Sequence, residues 1–347
     1  MHTEKITLND ERNVTLTVHL LEEADGIGEN TKRPAVMVIP GGAYQYCSER
    51  ESEPVAKVYG AAGYHTFILN YSVGKDALWP NPLEDYEMAM DLIREKAEGW
   101  NVLQDKIAVV GFSAGGHLAA AAATIAKNKP NAAILGYAVT TNDVKGCEPS
   151  APELISKVDG TTPPCFLFAA RTDDTVPVRN SLAFMQALEQ AGISFESHIY
   201  GYGPHGFSTC DASIQEQSPS LLCRRTKNWV TDSIGWLEDV FGTFGANGVT
   251  EPLCFAHVNG NYEKTLSANC TVGHLMKNPA AVSVLSPLLA QATGANATET
   301  QDTKNPLPQE LLLQMMENVR LRDVLRMFGA ADAAEQIDIL LRQIENL

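Results

Sequence analysis

The sequence predicts an α/β fold: a mostly parallel, eight-stranded sheet with helices on both faces, plus a small, mainly helical C-terminal region. Three observations predict it. Short β-rich apolar runs alternate with helix-like stretches, the pattern of a parallel sheet covered on both sides. One of those runs passes through a Gly-x-Ser-x-Gly turn directly into an Ala-rich helix. The alternation stops near Phe241, and a different texture follows.

The elements are read in chain order. Residues 3–8 and 13–20 alternate polar and apolar around Asn9-Asp10, which predicts an antiparallel hairpin. Six further strands are expected at Ala35–Ile39, Thr66–Leu69, Ile107–Val110, Ala132–Leu135, Cys165–Ala169 and Phe195–Tyr200. Helices are expected at 52–62, 83–97, 114–127, 179–191 and 222–240. Gly242 to Gly248 is small and Gly-containing, which divides the chain into a domain at 1–245 and an appendage at 246–347. Within the appendage, 250–290 shows no clear period, and the polar stretch near 292–308 reads as a flexible segment. Two amphipathic helices then follow at 309–328 and 331–345, broken near Gly329. Neither can hide its apolar stripe alone. Leu311, Leu312, Met315, Val319, Leu321, Leu325, Ile337, Leu340 and Leu341 are therefore expected to be buried. They would pack on one another, on the first domain, or on another chain as an oligomer contact.

Composition narrows the function classes. The 347 residues are 44% hydrophobic, enough for a sizeable core. Lys plus Arg is 26 against 42 Asp plus Glu, a formal charge of −16. A field of that sign repels phosphate backbones and anionic membrane surfaces, so neither nucleic acid nor a membrane is an expected partner. A neutral ester meets no such barrier. The seven cysteines are odd in number and include no C-x-x-C pair, which argues against a disulfide framework or a zinc knuckle. Free thiols, and a polar start at Met1-His2-Thr3-Glu4-Lys5, lead to an expected cytoplasmic location. No run approaches the roughly 20 apolar residues of a membrane span.

Gly111-Phe112-Ser113-Ala114-Gly115 carries the chemistry. A strand leads in and a helix leads out, so Ser113 would sit on a sharp turn with its Oγ exposed, as a nucleophile requires. A phosphate loop is the competing reading, but no Lys-Ser/Thr pair follows. A serine nucleophile needs a base, and the base needs an orienting acid. His205 lies in Gly201-Tyr202-Gly203-Pro204-His205-Gly206-Phe207, just after the last expected strand, and is the expected base. His117 reads as structural, and His198 falls inside a strand. For the acid, Asp173 follows the strand Cys165–Ala169 and is the first choice; Asp174 is second and Asp143 third. Charge developing on the substrate carbonyl oxygen needs fixed N–H donors, each worth about 3 kcal/mol. Ala114 and the loop Pro40-Gly41-Gly42-Ala43-Tyr44 would supply them, with Gly42 and Ala43 as the loop donors.

These segments together resemble a known group. Pro40-Gly41-Gly42-Ala43-Tyr44, Ser48-Glu49-Arg50-Glu51, Asn70-Tyr71-Ser72-Val73, Gly111-Phe112-Ser113-Ala114-Gly115-Gly116-His117, Asp173-Asp174-Thr175-Val176-Pro177-Val178 and Pro204-His205-Gly206-Phe207 occur in order. They are similar to the acetyl esterase and acetylxylan esterase-like branch of the α/β-hydrolase superfamily, itself similar to the hormone-sensitive-lipase group. The oxyanion segment there usually starts His-Gly-Gly; Pro40 stands in place of the His. The resemblance covers about residues 3–240. It implies Ser113, Asp173 and His205 as a catalytic triad, Gly42, Ala43 and Ala114 as oxyanion donors, a short-chain acyl ester on carbohydrate as substrate, and neither metal nor organic cofactor. A serine peptidase of the prolyl-peptidase kind and a non-catalytic binding protein are the alternatives. Lys75–Pro82, with Trp79, and the loop Tyr44–Glu53 are expected to line the substrate pocket.

Overall fold

Asn9 and Asp10 begin the tight turn of a hairpin. Strand β1 (His2–Asn9) pairs antiparallel with β2 (Val14–Leu20), and Asn13 takes a positive φ of 55° between them. In this computed structural model the described residues are 2–22, 32–211, 223–245, 248–258, 266–292, 316–327, 329 and 333–345. β2 pairs antiparallel with β4 (His65–Asn70). From β4 onward the sheet is parallel, through β3 (Arg33–Ile39), β5 (Val102–Phe112), β6 (Ala132–Gly136), β7 (Cys165–Ala170) and β8 (Phe195–Tyr200). The order is β1-β2-β4-β3-β5-β6-β7-β8. All eight expected strands form. β5 starts earlier than its apolar run because Val102 already pairs with Arg33.

The helices between strands are α1 (Glu53–Ala61), α2 (Asn81–Lys96), α3 (Ser113–Thr124), α4 (Arg179–Gln190) and α5 (Asn228–Phe241). Side chains alternate across the sheet with period two. Met37, Val109 and Leu167 therefore pack with Met90 of α2, Leu118 of α3 and Phe184 of α4. Val38, Val110 and Phe168 pack on the other face, with Tyr59 of α1 and Trp229 of α5. Burial on both faces is why these strands read as unbroken apolar runs rather than alternating ones. Phe168 stacks on Trp229 with ring centroids 4.2 Å apart and an interplanar angle of 7°, which adds about 1 kcal/mol to the burial that holds α5 on the sheet.

Two compact units form, Met1–Ala256 and His257–Leu347. The division lies after Ala256 rather than after residue 245 because the intervening chain stays bonded to the first unit. Phe244–Gly245 pairs antiparallel with Gly248–Val249. The Cys254 N–H donates to the Asp239 carbonyl, and the Ser194 N–H donates to that of Ala256, at 2.8 and 2.9 Å.

The second unit departs from its sequence reading in three places. The stretch that shows no clear period contains the helices Val272–Met276 and Pro279–Ala292. The helix expected at 309–328 is not continuous over the described residues: the carbonyls of Glu317 and Val319 accept from the N–H groups of Gly273 and Val272, and the helix that forms is Leu321–Met327. Leu340, expected to be buried, is 41% exposed on the helix Ala333–Glu345. Leu321, Leu325, Ile337 and Leu341 do lie in this unit's core, with Val272, Leu275 and Leu285, and Val319 packs partly buried against it. Leu311, Leu312, Met315 and most of the 292–308 segment lie outside the described residues.

Candidate active site

Parallel pairing brings the candidate loops to one edge. Ile39 pairs with Gly111, so the chain leaving β3 at Pro40 runs beside the chain leaving β5 at Phe112. Phe112 pairs with Gly136, Gly136 with Phe168, and Ala170 with Tyr200. The carboxyl ends of β3, β5, β6, β7 and β8 therefore form one rim, where open α/β sheets carry their ligand sites.

Ser113 opens α3 with a positive φ of 54°, a conformation that costs a non-glycine residue roughly 1–3 kcal/mol. Its two flanking glycines make the turn possible. A Cβ on Gly111 would stand 2.3 Å from the Gly115 carbonyl oxygen, and a Cβ on Gly115 would stand 2.3 Å from those of Ile39 and Pro40. No larger residue fits either place. Ser113 is half-buried at the rim.

His205 Nε2 lies 2.9 Å from Ser113 Oγ, and His205 Nδ1 lies 2.7 Å from Asp173 Oδ2. A carboxylate only accepts, so Nδ1–H donates to Asp173 and Nε2 accepts from the Ser113 hydroxyl. Asp173 is buried, and its Oδ1 accepts from the Thr175 and Val176 N–H groups at 3.0 and 2.9 Å. Both carboxylate oxygens are thus occupied and the acid is held in one orientation. Asp174 is exposed and accepts from the Thr175 hydroxyl. Asp143 is engaged by Arg179 and Asn180, and the Arg179 guanidinium holds its pKa below the usual carboxylate value. His198 lies in β8 against Glu196 at 2.7 Å.

The loop after β3 stands over this line. Gly42 has φ 128° and Ala43 has φ 53°. A Cβ on Gly42 would stand 2.0 Å from the Tyr46 carbonyl oxygen. Among the described residues, no backbone acceptor takes the Gly42 or Ala43 N–H. Ala114 sits in the first turn of α3, where N–H groups lack intrahelical acceptors. The arrangement can pass a proton from the serine hydroxyl to the imidazole. Among the described residues, no three His, Cys, Asp or Glu side chains stand together as metal ligands would.

Two side chains that sequence reasoning did not single out touch the site. Tyr137, the residue after β6, packs edge-on against the His205 ring at 5.1 Å. Glu51 is buried, and its Oε2 accepts from the Gly41 N–H at 2.9 Å. No local pattern marks either one; only the fold brings them to the rim. The expected pocket residues divide. Tyr46, Ser48, Arg50 and Lys75 line an open groove of about 1380 Å³, whereas Trp79 packs edge-on against the His117 ring at 5.5 Å.

His117 has a supporting role. It is fully buried in α3; its Nε2–H donates to the Pro152 carbonyl at 2.8 Å, and its Nδ1 accepts from the Tyr44 hydroxyl at 2.7 Å, steadying the loop after β3. Burial pushes its pKa down to about 4, against the opposing pull of the Pro152 carbonyl. The folded state therefore stays neutral at pH values where an unfolded histidine, near 6.5, takes up a proton. Its contribution to stability is full above about pH 6.5 and is lost as pH falls toward 4, by about 2 kcal/mol between pH 7 and 4.5. Urea unfolding at the two pH values should show that loss in the wild type and a smaller one in His117→Gln. Equal losses in the two proteins would remove His117 from the account.

The first unit matches known families along most of its length. Residues 27–151 match the BD-FAE family, and residues 150–222 match the prolyl oligopeptidase family. The chain is similar to MGS-M1, an α/β-hydrolase enzyme from a Medee basin deep-sea metagenome library: 39% identity, 69% of this chain and 98% of that one, TM-score 0.66. It is similar to endo-1,4-beta-xylanase B of Butyrivibrio fibrisolvens, at 30% identity over 53% of this chain and 34% of that protein. It is also similar to an acetylxylan esterase of Xylanibacter ruminicola, at 28% identity over 52% of this chain and 42% of that protein. The chain spans about a third to a half of the length of the curated relatives it matches. The chain belongs to the α/β-hydrolase family. No helix among the described residues is long and apolar enough to cross a membrane.

Proposed function

We propose that this protein is a serine carboxylesterase that removes short-chain acyl groups, chiefly acetyl, from carbohydrate such as acetylated xylan oligosaccharides. One observation carries the reading: Ser113, His205 and Asp173 form a continuous hydrogen-bonded line at 2.9 and 2.7 Å beneath the Pro40–Ala43 loop. In this reading Ser113 Oγ attacks the acyl carbon while His205 Nε2 takes its proton. Asp173 orients the imidazole and stabilises the imidazolium. The N–H groups of Gly42, Ala43 and Ala114 receive the developing oxyanion. His205 then protonates the departing sugar hydroxyl, and a water activated by His205 releases the acid from Ser113.

The acetyl preference is supported by the acetylxylan esterase relative. Acetyl or propionyl p-nitrophenyl esters should exceed the octanoyl ester in kcat/KM by about 100-fold, the scale that a few misplaced methylenes produce. Acetate release from acetylated xylo-oligosaccharides, measured beside that series, tests the carbohydrate part. Preference for octanoyl or longer chains would overturn the reading. A peptidase reading draws on the match of residues 150–222, which include Asp173 and His205, to the prolyl oligopeptidase family. Turnover of aminoacyl p-nitroanilides above that of p-nitrophenyl acetate would favour it.

A further inference from the structure

Glu51 carries a carboxylate that the proposed chemistry does not use. The residue is 2% exposed. Its Oε2 accepts from the Gly41 N–H at 2.9 Å, and its Oε1 accepts from the Tyr137 hydroxyl at 2.6 Å. The Tyr137 oxygen in turn accepts from the Ser208 N–H at 3.1 Å. One side chain thus links the loop after β3, the end of β6 and the loop that carries His205. The linkage is tight at the serine as well. A Cβ on Gly41 would stand 2.8 Å from Glu51 Oε2 and 3.1 Å from Ser113 Cβ. The Tyr137 ring is edge-on to both His205 and Phe207, at 5.1 and 4.8 Å.

A buried carboxylate carries a desolvation penalty unless donors meet it. Near a developing oxyanion its charge also opposes the reaction. What it supplies in return is geometry. A carboxylate only accepts, so it can hold an N–H and an O–H at once in fixed directions. Burial, and next the neighbouring Glu51 charge, push the Tyr137 pKa well up, so the phenol keeps the proton it donates.

We propose that Glu51 is a positioning residue: it locks the Pro40–Ala43 loop to the His205 loop, so that backbone donors and imidazole keep one geometry about Ser113. The proposal rests on the reading of Ser113 as nucleophile. Misplacing catalytic groups by about 1 Å costs on the order of 100-fold in rate. Glu51→Ala in the full chain should therefore lower kcat on p-nitrophenyl acetate by about 100-fold, with KM within about threefold of wild type. Glu51→Gln should recover most of that loss. Its amide oxygen can keep the Gly41 N–H while its amide N–H turns to the Tyr137 oxygen. Tyr137→Phe cuts the link to the His205 loop and should cost about 10-fold in kcat, again at constant KM.

Rates are taken per serine titrated with a fluorophosphonate, and thermal midpoints are measured alongside. A Glu51→Ala loss that appears only in KM, or vanishes per titrated site, would overturn the proposal. So would a Glu51→Gln protein as slow as Glu51→Ala. If Glu51→Ala does not fold, Tyr137→Phe decides: an unchanged kcat overturns the lock. Ser113→Ala separates the two levels. Activity that needs Ser113 but ignores Glu51 and Tyr137 overturns this proposal alone; activity that survives Ser113→Ala overturns the nucleophile reading and this proposal with it.

Discussion

Ser113→Ala should lower kcat on p-nitrophenyl acetate by about four to six orders of magnitude and leave the fold intact. The size follows from what the hydroxyl does in the proposed mechanism. Without it there is no acyl-enzyme, and only water held near the backbone donors remains as a nucleophile. The fold should survive because Ser113 is half-buried at the rim and its hydroxyl meets only the His205 side chain among the described residues. Alanine also carries the Cβ that the left-handed φ of 54° already accommodates, so no new strain is added. His205→Ala should cost nearly as much, and the double variant should be little worse than either single one, since the groups act as a unit. The measurement is steady-state turnover with a melting curve for each protein. Turnover of Ser113→Ala within tenfold of wild type would sink the assignment.

Much of the first unit was legible because its signals are local. A strand buried on both faces must be apolar throughout, so Val36–Ile39, Ala108–Val110 and Phe166–Ala169 stand out without alignment. The Gly111–Gly115 turn is legible because contact with the backbone at Gly115, Ile39 and Pro40 leaves no room for a Cβ. Chain order then points to Asp173 and His205. Glu51 and Tyr137 were not legible in the same way. Their residue numbers differ by 86, and neither sits in a pattern that a buried acid or phenol must have. Ser48-Glu49-Arg50-Glu51 belongs to the family likeness and to the expected pocket loop, but nothing in it marks Glu51 as a buried acid.

The second unit was harder for a different reason. Its core is assembled from short helices, and Val272–Met276 is too brief to show a helical period. Its burial depends on pairing between distant segments: Thr271 bridges to Arg320, and the Leu321 N–H donates to the Cys270 carbonyl. A single amphipathic stripe drawn over 309–328 cannot anticipate that break. Leu340 fits the stripe on paper, yet it points to water because Ile337 and Leu341 already fill the shared core.

Asp173→Asn should lower kcat on p-nitrophenyl acetate by about 10⁴-fold, while Asp174→Asn should change it by less than about threefold. The two aspartates are adjacent in sequence, and only their surroundings separate them. Asp173 is buried, with Oδ2 on His205 Nδ1 and Oδ1 on two backbone N–H groups, so the acceptor role of both oxygens is built in. An asparagine there has one acceptor and one donor. If its oxygen keeps the Thr175 and Val176 N–H groups, its amide N–H faces His205 Nδ1 and selects the tautomer with the proton on Nε2. That tautomer cannot take the proton from Ser113. If the amide turns the other way, its N–H groups face two backbone donors, and the turn at Thr175 loses its anchor. Either arrangement also removes the negative charge that stabilises the imidazolium. The first outcome predicts a folded, inactive protein; the second predicts a lower thermal midpoint as well, so the melting curve tells which one occurs. Asp174 is exposed, and His205 Nδ1 is bonded to Asp173 instead, so an amide at position 174 should be tolerated. Steady-state rates for the two variants, each normalised to folded protein, give the comparison. An inactive Asp174→Asn beside an active Asp173→Asn would move the acid one residue along the chain and break the proposed line.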